Sequence, residues 1–375
     1  MSKLPHVGTT IFTVMSKMAN DYQAINLAQG FPNFPVDTML VEAMKQELEQ
    51  PIHQYAPMAG NPALLEELVK LTLKHYRREV NPSTELLISA GATQAIFTAI
   101  QALVKSDEEV IILDPSYDCY EAPIILTGAK PIRIPLNEDF LPDWGLIKKQ
   151  ISKQTRLLII NNPHNPSGKV WEAKEFMELG KLLEEFPNLL VLSDEVYEYI
   201  SFEKPHLSVN EMQHIRERSV IVSSFGKTFH ITGWKIGYMI APEHVMSEIK
   251  KVHQFLVFCV NNPAQAALAR YLSQTELTGL GAFYQEKRDL FRALLHDSKF
   301  KLLPSEGSYF QVADYSSIST EQDTLFCERL VKEYGVAAIP LSVFNADQAD
   351  RKLIRFCFAK DNETLRKAAE RLCSI

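Results

Sequence analysis

Lys227 and Lys235 stand eight residues apart in the stretch SSFGKTFHITGWKIGY (223–238), and their placement constrains the chemistry more than any other pair. The apolar run RSVIVS reads as a buried strand ending in a small-residue turn, with Lys227 close behind it. A lysine at the exit of a buried strand is costly to keep charged unless something bonds it. Held in a desolvated cleft, its amine can lose a proton and condense with an aldehyde, as enzymes do to carry carbonyl cofactors. Ser224 and Lys235 would then hold an anionic group of the same molecule. The plain alternative is a solvated loop lysine, the usual state in a chain with 39 Lys and Arg. Two short-motif readings fail on their own terms. Ser224-Phe225-Gly226-Lys227 fits the S-x-x-K of acylating serine enzymes, but no S-D-N or K-T-G partner accompanies it. The GKT at Gly226 resembles the end of a nucleotide loop, but that loop needs a glycine where the chain has Ile221.

The elements that must position these residues follow from the pattern. From about Glu85 to Pro242, short Val/Ile/Leu-rich runs alternate with amphipathic stretches, which predicts strands joined by crossover helices in a mostly parallel sheet. Seven runs qualify: ELLISA, EVIILD, KPIRIPL, TRLLIINN, NLLVLSD, RSVIVSS and IGYMIA. Their near-continuous apolar character is that of a sheet covered on both faces. Beyond it come long helices at AQAALARYL and FYQEKRDLFRALLHD, then strand and helix signals that predict a smaller α+β unit. The expected division is an N-terminal arm joined to part of the small domain (1–36), a large α/β domain (37–279) and a small C-terminal domain (280–375). The first forty or so residues show little periodicity and read as a packing arm.

The chain has 375 residues and is 46% hydrophobic, ample for such a core. Its net charge of −7, with no basic run, argues against a nucleic-acid or membrane-surface partner. Five scattered cysteines without a C-x-x-C pair give neither a disulfide framework nor a metal site, and favour a reducing compartment. With no signal peptide and no apolar run of membrane-spanning length, the expectation is a soluble cytoplasmic protein.

Ligands of open parallel sheets bind beyond the carboxyl ends of the strands. Gly91-Ala92-Thr93 open a helix after LLIS, where backbone N–H groups can hold a phosphate. Asn165 follows TRLLII, Asp194 and Tyr197 follow NLLVLS, and Ser224 and Lys227 follow RSVIVS. Each alone could be a turn, a cap or packing; together they suit one anionic, aromatic cofactor, pyridoxal 5'-phosphate. Its ring nitrogen must stay protonated, which a carboxylate such as Asp194 enforces. Tyr197 and Asn165 can donate to the phenolic oxygen, and Tyr117, in DPSYDCY, can stack on the ring. A carboxylate on the substrate calls for a bidentate guanidinium. Arg355 within KLIRFCFA is the best offer, its alternative being an edge-strand arginine reaching solvent.

With these residues in place, the chain resembles the class I pyridoxal-phosphate-dependent aminotransferases of the kynurenine/glutamine aminotransferase subgroup, nearest its bacterial methionine aminotransferases. The matching pieces run in order along nearly the whole length, from NLAQGFPNF and HQYAPMAGNPALLEEL through ISAGATQAI, NNPHNPSGKVW, LSDEVYEYI and SSFGKTFHITGWKIGY to PSEGSYF and IRFCFAK. The resemblance implies a fold-type I transferase in which Lys227 carries the cofactor and moves the substrate α-proton. It implies phosphate contacts from Ala92, Thr93, Ser224 and Lys235, and a further one from Tyr55 across a homodimer interface. Arg355, Gly30 and Asn165 match the groups that hold the substrate carboxylate. The implied reaction moves an amino group from methionine, an aromatic or a similar large amino acid to a 2-oxo acid. Two departures, Phe258-Cys259 and Ile11-Phe12, keep the pocket apolar and point away from kynurenine toward a flexible sulfur or aromatic side chain. The alternatives on the same scaffold are a cysteine-S-conjugate β-lyase and a non-catalytic cofactor-sensing module.

Overall fold

All seven predicted strands form one sheet in the computed structural model, which describes residues 2–375. Their order across the sheet is Leu86–Ser89, Gly237–Ile240, Ser219–Ser224, Leu190–Asp194, Thr155–Asn161, Glu109–Asp114 and Lys130–Pro135. Gly237–Ile240 runs antiparallel to both neighbours, and the other paired strands run parallel. The strands are apolar throughout because both faces are covered. Leu87, Val110, Ile112, Leu157, Ile159, Leu192, Val220 and Val222 pack on one side with the helix Ala92–Leu103. Their alternates Ile88, Ile111, Leu158, Ile160, Val191 and Ile221 join the larger core on the other side. The antiparallel strand has a consequence for the site: it enters the sheet at the edge where the parallel strands leave. Lys235, two residues ahead of it, therefore reaches the same edge as Lys227.

Beyond this sheet, Leu353–Cys357 pairs antiparallel with Phe310–Asp314 and Ile339–Pro340, and Lys301–Leu302 extends the far side. The helices Leu280–Leu294 and Asn362–Cys373 pack together nearby. Leu353–Cys357 is thus an interior strand, so Arg355 is no edge arginine; it is 1% exposed. The run VAAIPLS does not form one strand: Val336–Ala337 pairs parallel with Ile25–Asn26, while Ile339–Pro340 joins the four-stranded sheet. The arm differs from the expectation of little regular structure. Ile11–Asp21 is a helix whose N-cap Thr10 accepts from the Thr13 N–H, and Met15 and Ala19, four apart, are its buried face.

Candidate active site

The strand ends enclose a cavity of about 630 Å³. Gly30, Gly91, Ala92, Thr93, Tyr117, Asn165, Asp194, Tyr197, Ser224, Lys227, Lys235 and Arg355 all line it. Of the cofactor- and substrate-binding residues named from the sequence only Tyr55 is elsewhere: it is 80% exposed, with its ring edge-on to Phe258 at 5.1 Å. Of the two departures expected to shape the pocket, Phe12 lines the cavity, whereas Ile11, Phe258 and Cys259 do not.

Lys227 sits in the one-turn helix Phe225–Thr228, directly after Ser219–Ser224. Its Nζ has only a long contact to the Gly30 carbonyl, 3.4 Å, and lies 5.8 and 5.7 Å from the ring centres of Tyr197 and Tyr309. Burial lowers the amine to about 8, with the charges of Arg355 and Lys235 pushing the same way. A neutral, nucleophilic amine is thereby accessible near neutral pH.

Asp194 shows the complementary effect. Burial raises its carboxyl to about 6, against the Tyr120 hydroxyl that donates to Oδ2 at 2.7 Å and the Val196 N–H that donates to Oδ1 at 3.3 Å. A cation beside this carboxylate would restore its ionised form.

The phosphate end has the features of an anion cradle. Helix Ala92–Leu103 begins at Gly91 with no side-chain cap bond, leaving first-turn N–H groups free at the sheet edge. Gly91 has φ +78°, which favours glycine, and a Cβ there would come within 3.3 Å of Lys235 Nζ, so the lysine closes tightly over this position. Lys235 itself holds a left-handed φ of +56° just before its strand.

At the opposite wall, Arg355 Nη1 donates to Asn165 Oδ1 at 2.7 Å and Nη2 to the Ala28 carbonyl at 3.0 Å. Its Cζ lies 3.9 Å from the centre of the Phe310 ring and 5.3 and 5.6 Å from those of Phe12 and Phe344. Nε is buried with no partner among the described residues. A buried guanidinium with spare donors facing a cavity is suited to an anionic ligand, since leaving such donors unpaired is costly.

Two contributors escaped the sequence reading. Tyr120 comes three residues after Tyr117 in DPSYDCY, and that repeat was the only signal for it. Asn161, first of the three asparagines in NNPHNPSG, ties two exits together: its Oδ1 accepts from the Asn165 N–H at 2.7 Å and its Nδ2 donates to the Asp194 carbonyl at 2.8 Å.

This sheet, with an amine, a carboxylate and a guanidinium around one cavity at its carboxyl edge, has the form of a fold-type I transferase. The chain matches the aminotransferase class I and II family over residues 22–372, and it belongs to that family. It is 48% identical to the methionine aminotransferase of Escherichia coli strain K12, over 99% of this chain and 97% of that one. It is 32% identical to the kynurenine–oxoglutarate transaminase of Dictyostelium discoideum, over 98% and 94%. Among solved structures, it superposes with a TM-score of 0.98 at 47% identity on an E. coli protein for which a methionine aminotransferase function was identified, covering 100% of this chain and 99% of that one. The N-succinyldiaminopimelate aminotransferase of Mycobacterium tuberculosis gives 0.96 at 34%, with 100% and 99% covered.

The protein is a transaminase, and its family works with pyridoxal phosphate. The cavity fits that group: a glycine-opened helix N-terminus with a lysine over it suits the phosphate, the lone Lys227 amine suits the aldehyde, and a buried carboxylate without a cation suits the pyridine nitrogen. Among the described residues no helix is long and apolar enough to cross a membrane.

Proposed function

We propose that this aminotransferase takes methionine or an aromatic amino acid as donor and a 2-oxo acid as acceptor. The observation that carries the reading is the shared cavity of Lys227, Asp194 and Arg355, in which no two of the three side chains are ion-paired. Pyridoxal phosphate, when bound, supplies an aldehyde and an electron-withdrawing ring. Lys227 would hold it through Nζ and would move the proton at the substrate α-carbon. Asp194 keeps a proton on the ring nitrogen, with Tyr120 orienting the carboxylate. Tyr197 and Asn165 donate to the phenolic oxygen, and Tyr117 covers the ring. Gly91, Ala92, Thr93, Ser224 and Lys235 hold the phosphate.

Arg355, with Asn165 and Gly30, holds the carboxylate common to every donor and acceptor. The donor side chain then faces the arm, where Val7, Phe12 and Phe31 line the cavity beside Thr10, Thr13 and Gln29; the apolar part of this wall suits a thioether or an aromatic ring. The N-terminal arm works with the small domain (280–375) against the large one (37–279); the pairing of Ile25–Asn26 with Val336–Ala337 supports this division.

Tyr55 belongs to the site of a second subunit, so the working form is a homodimer; its 80% exposure, with the exposed Phe258 against its ring, supports that placement. Five free cysteines suit the reducing cytoplasm.

A panel of donors and acceptors on the purified holoenzyme tests the reading. The expected result is fastest turnover with methionine and aromatic donors and strict dependence on an acceptor. Release of ammonia and pyruvate from cysteine conjugates without acceptor, as the main activity, would instead establish the β-lyase. No turnover of methionine or aromatic donors with the cofactor bound would overturn the donor reading.

A further inference from the structure

Arg133 lies on the edge strand Lys130–Pro135, outside the cavity, yet its side chain is only 15% exposed. Its Nε and Nη2 reach Asp114 Oδ1 at 3.0 and 2.7 Å, and Nη1 reaches Glu121 Oε2 at 3.1 Å. Charge neutralisation would be complete there. Nη2 nevertheless also donates to Ser116 Oγ at 3.0 Å and to the Phe344 carbonyl at 2.8 Å. The same carbonyl accepts the Ser116 N–H at 2.9 Å, and the Ala346 N–H donates to Asp114 Oδ2 at 2.8 Å.

The turn so gripped, Ser342–Phe344, is fixed at its other end by Asp323. Both carboxylate oxygens of Asp323 accept from Ser342, one from its N–H and one from its hydroxyl, each at 2.7 Å. A turn of three residues is therefore held from two separate sheets' surroundings. The side chain it presents is Phe344, 2% exposed, whose ring centre lies 5.9 Å from that of Phe12 and 5.6 Å from Arg355 Cζ. Phe12 in turn meets Tyr117 at 6.0 Å. Arg355 has only two protein acceptors, so its aromatic neighbours complete the definition of where its free donors point.

We propose that Arg133 is a positioning residue for the substrate-carboxylate anchor, acting through the Phe344 backbone to set the aromatic wall around Arg355. The inference rests on the reading of Arg355 as that anchor. It predicts a role in substrate binding for a residue that touches neither substrate nor cofactor.

The test compares Arg133→Lys, Phe344→Leu and the double variant as holoenzymes. Lysine keeps a charge for Asp114 but lacks the planar fork that reaches the Phe344 carbonyl as well. The expected result for Arg133→Lys is a lowered Tm, from the hydrogen bonds lost, with an unchanged cofactor absorption spectrum. KM should rise together for donors and acceptors, by about tenfold, because misplacement of a binding group by about 1 Å is enough for such a loss. kcat should hold. Phe344→Leu, which keeps the turn and loses the ring, should raise KM likewise, and the double variant should be no worse than the weaker-binding single one. Unchanged KM, an effect on one donor alone, or multiplied effects in the double variant would overturn the proposal. If Arg133→Lys does not fold, Phe344→Leu decides by the same criteria. Arg355→Lys separates the two levels: if it leaves KM unchanged the anchor reading falls, and if it raises KM while Arg133→Lys and Phe344→Leu do not, only the positioning role falls.

Discussion

The Tyr120 hydroxyl donates to Asp194 Oδ2 at 2.7 Å, so the carboxylate that ends Leu190–Asp194 is held by a phenol rather than by a cation. A buried carboxylate kept this way is oriented but not neutralised, which leaves its charge for a ligand. Asp194→Asn should accordingly lower turnover by orders of magnitude with the fold intact, because an amide cannot hold a proton on the ring nitrogen. A carboxylate serving only as a cap would cost about 1 kcal/mol of stability and no activity. Tyr120→Phe should be milder, since one hydrogen bond to a charged group is worth about 1.5–3 kcal/mol. Stopped-flow half-reactions with each variant, beside thermal melts, check the ordering.

Arg355→Lys should weaken every donor and acceptor alike. The guanidinium spends two donors on Asn165 and Ala28 and keeps Nε free, an arrangement that an ammonium cannot reproduce. Losing one charge-assisted bond, worth about 1.5–3 kcal/mol, corresponds to a fall in kcat/KM of about tenfold to a hundredfold for each substrate. Steady-state kinetics across the panel reads this directly. A loss confined to one donor would make Arg355 a side-chain selector.

The strand exits were legible because sheets buried on both faces leave an unambiguous mark: Leu157 to Ile160 and Val220 to Val222 are apolar on consecutive positions. Polar residues breaking off such runs had to lie at the carboxyl edge, which is how Asn165, Asp194 and Lys227 were found. Tyr120 was not found because its significance depends on a partner 74 positions away. The arm helix was missed because only Met15 and Ala19 are buried in it, too few to stand out as a stripe. The split of VAAIPLS is likewise invisible in composition, since both halves are equally apolar and only their partners, Ile25–Asn26 and Leu353–Cys357, separate them. Tyr55 is different in kind: the contact proposed for it lies between two chains, and a single chain cannot display it.

Tyr55 therefore calls for a test of its own. Tyr55→Phe should loosen the cofactor with little change in donor preference, because it would touch the partner's phosphate and not the substrate. Mixing inactive Lys227→Ala with a defective Tyr55 variant under subunit exchange should form one competent site per hybrid dimer. Activity no higher than that of the Tyr55 variant alone, despite proven exchange, would remove the shared site.

The buried charges give the cofactor-free protein a distinctive pH dependence. Asp194, raised from 3.8 to about 6, favours the folded state while protonated and loses that contribution as pH rises through about 6. Lys227, lowered from 10.5 to about 8, disfavours the folded state while charged, and that penalty is relieved as pH rises from about 8 to 10.5. Both penalties act together between about 6 and 8, each corresponding to about 3 kcal/mol. Melting curves of cofactor-free wild type and Lys227→Met should differ most below about pH 8, with the variant the more stable, and converge toward pH 10.5. A difference independent of pH would mean that the amine is not held in a desolvated site.

Of the two lysines at the sheet edge, Lys227 is the one proposed to carry the cofactor. Borohydride reduction of the yellow holoenzyme, followed by proteolysis and mass spectrometry, should place a single pyridoxyl group on the peptide containing Lys227 and none on that of Lys235. A label on Lys235, or a cofactor that washes out unreduced after borohydride, would contradict the account.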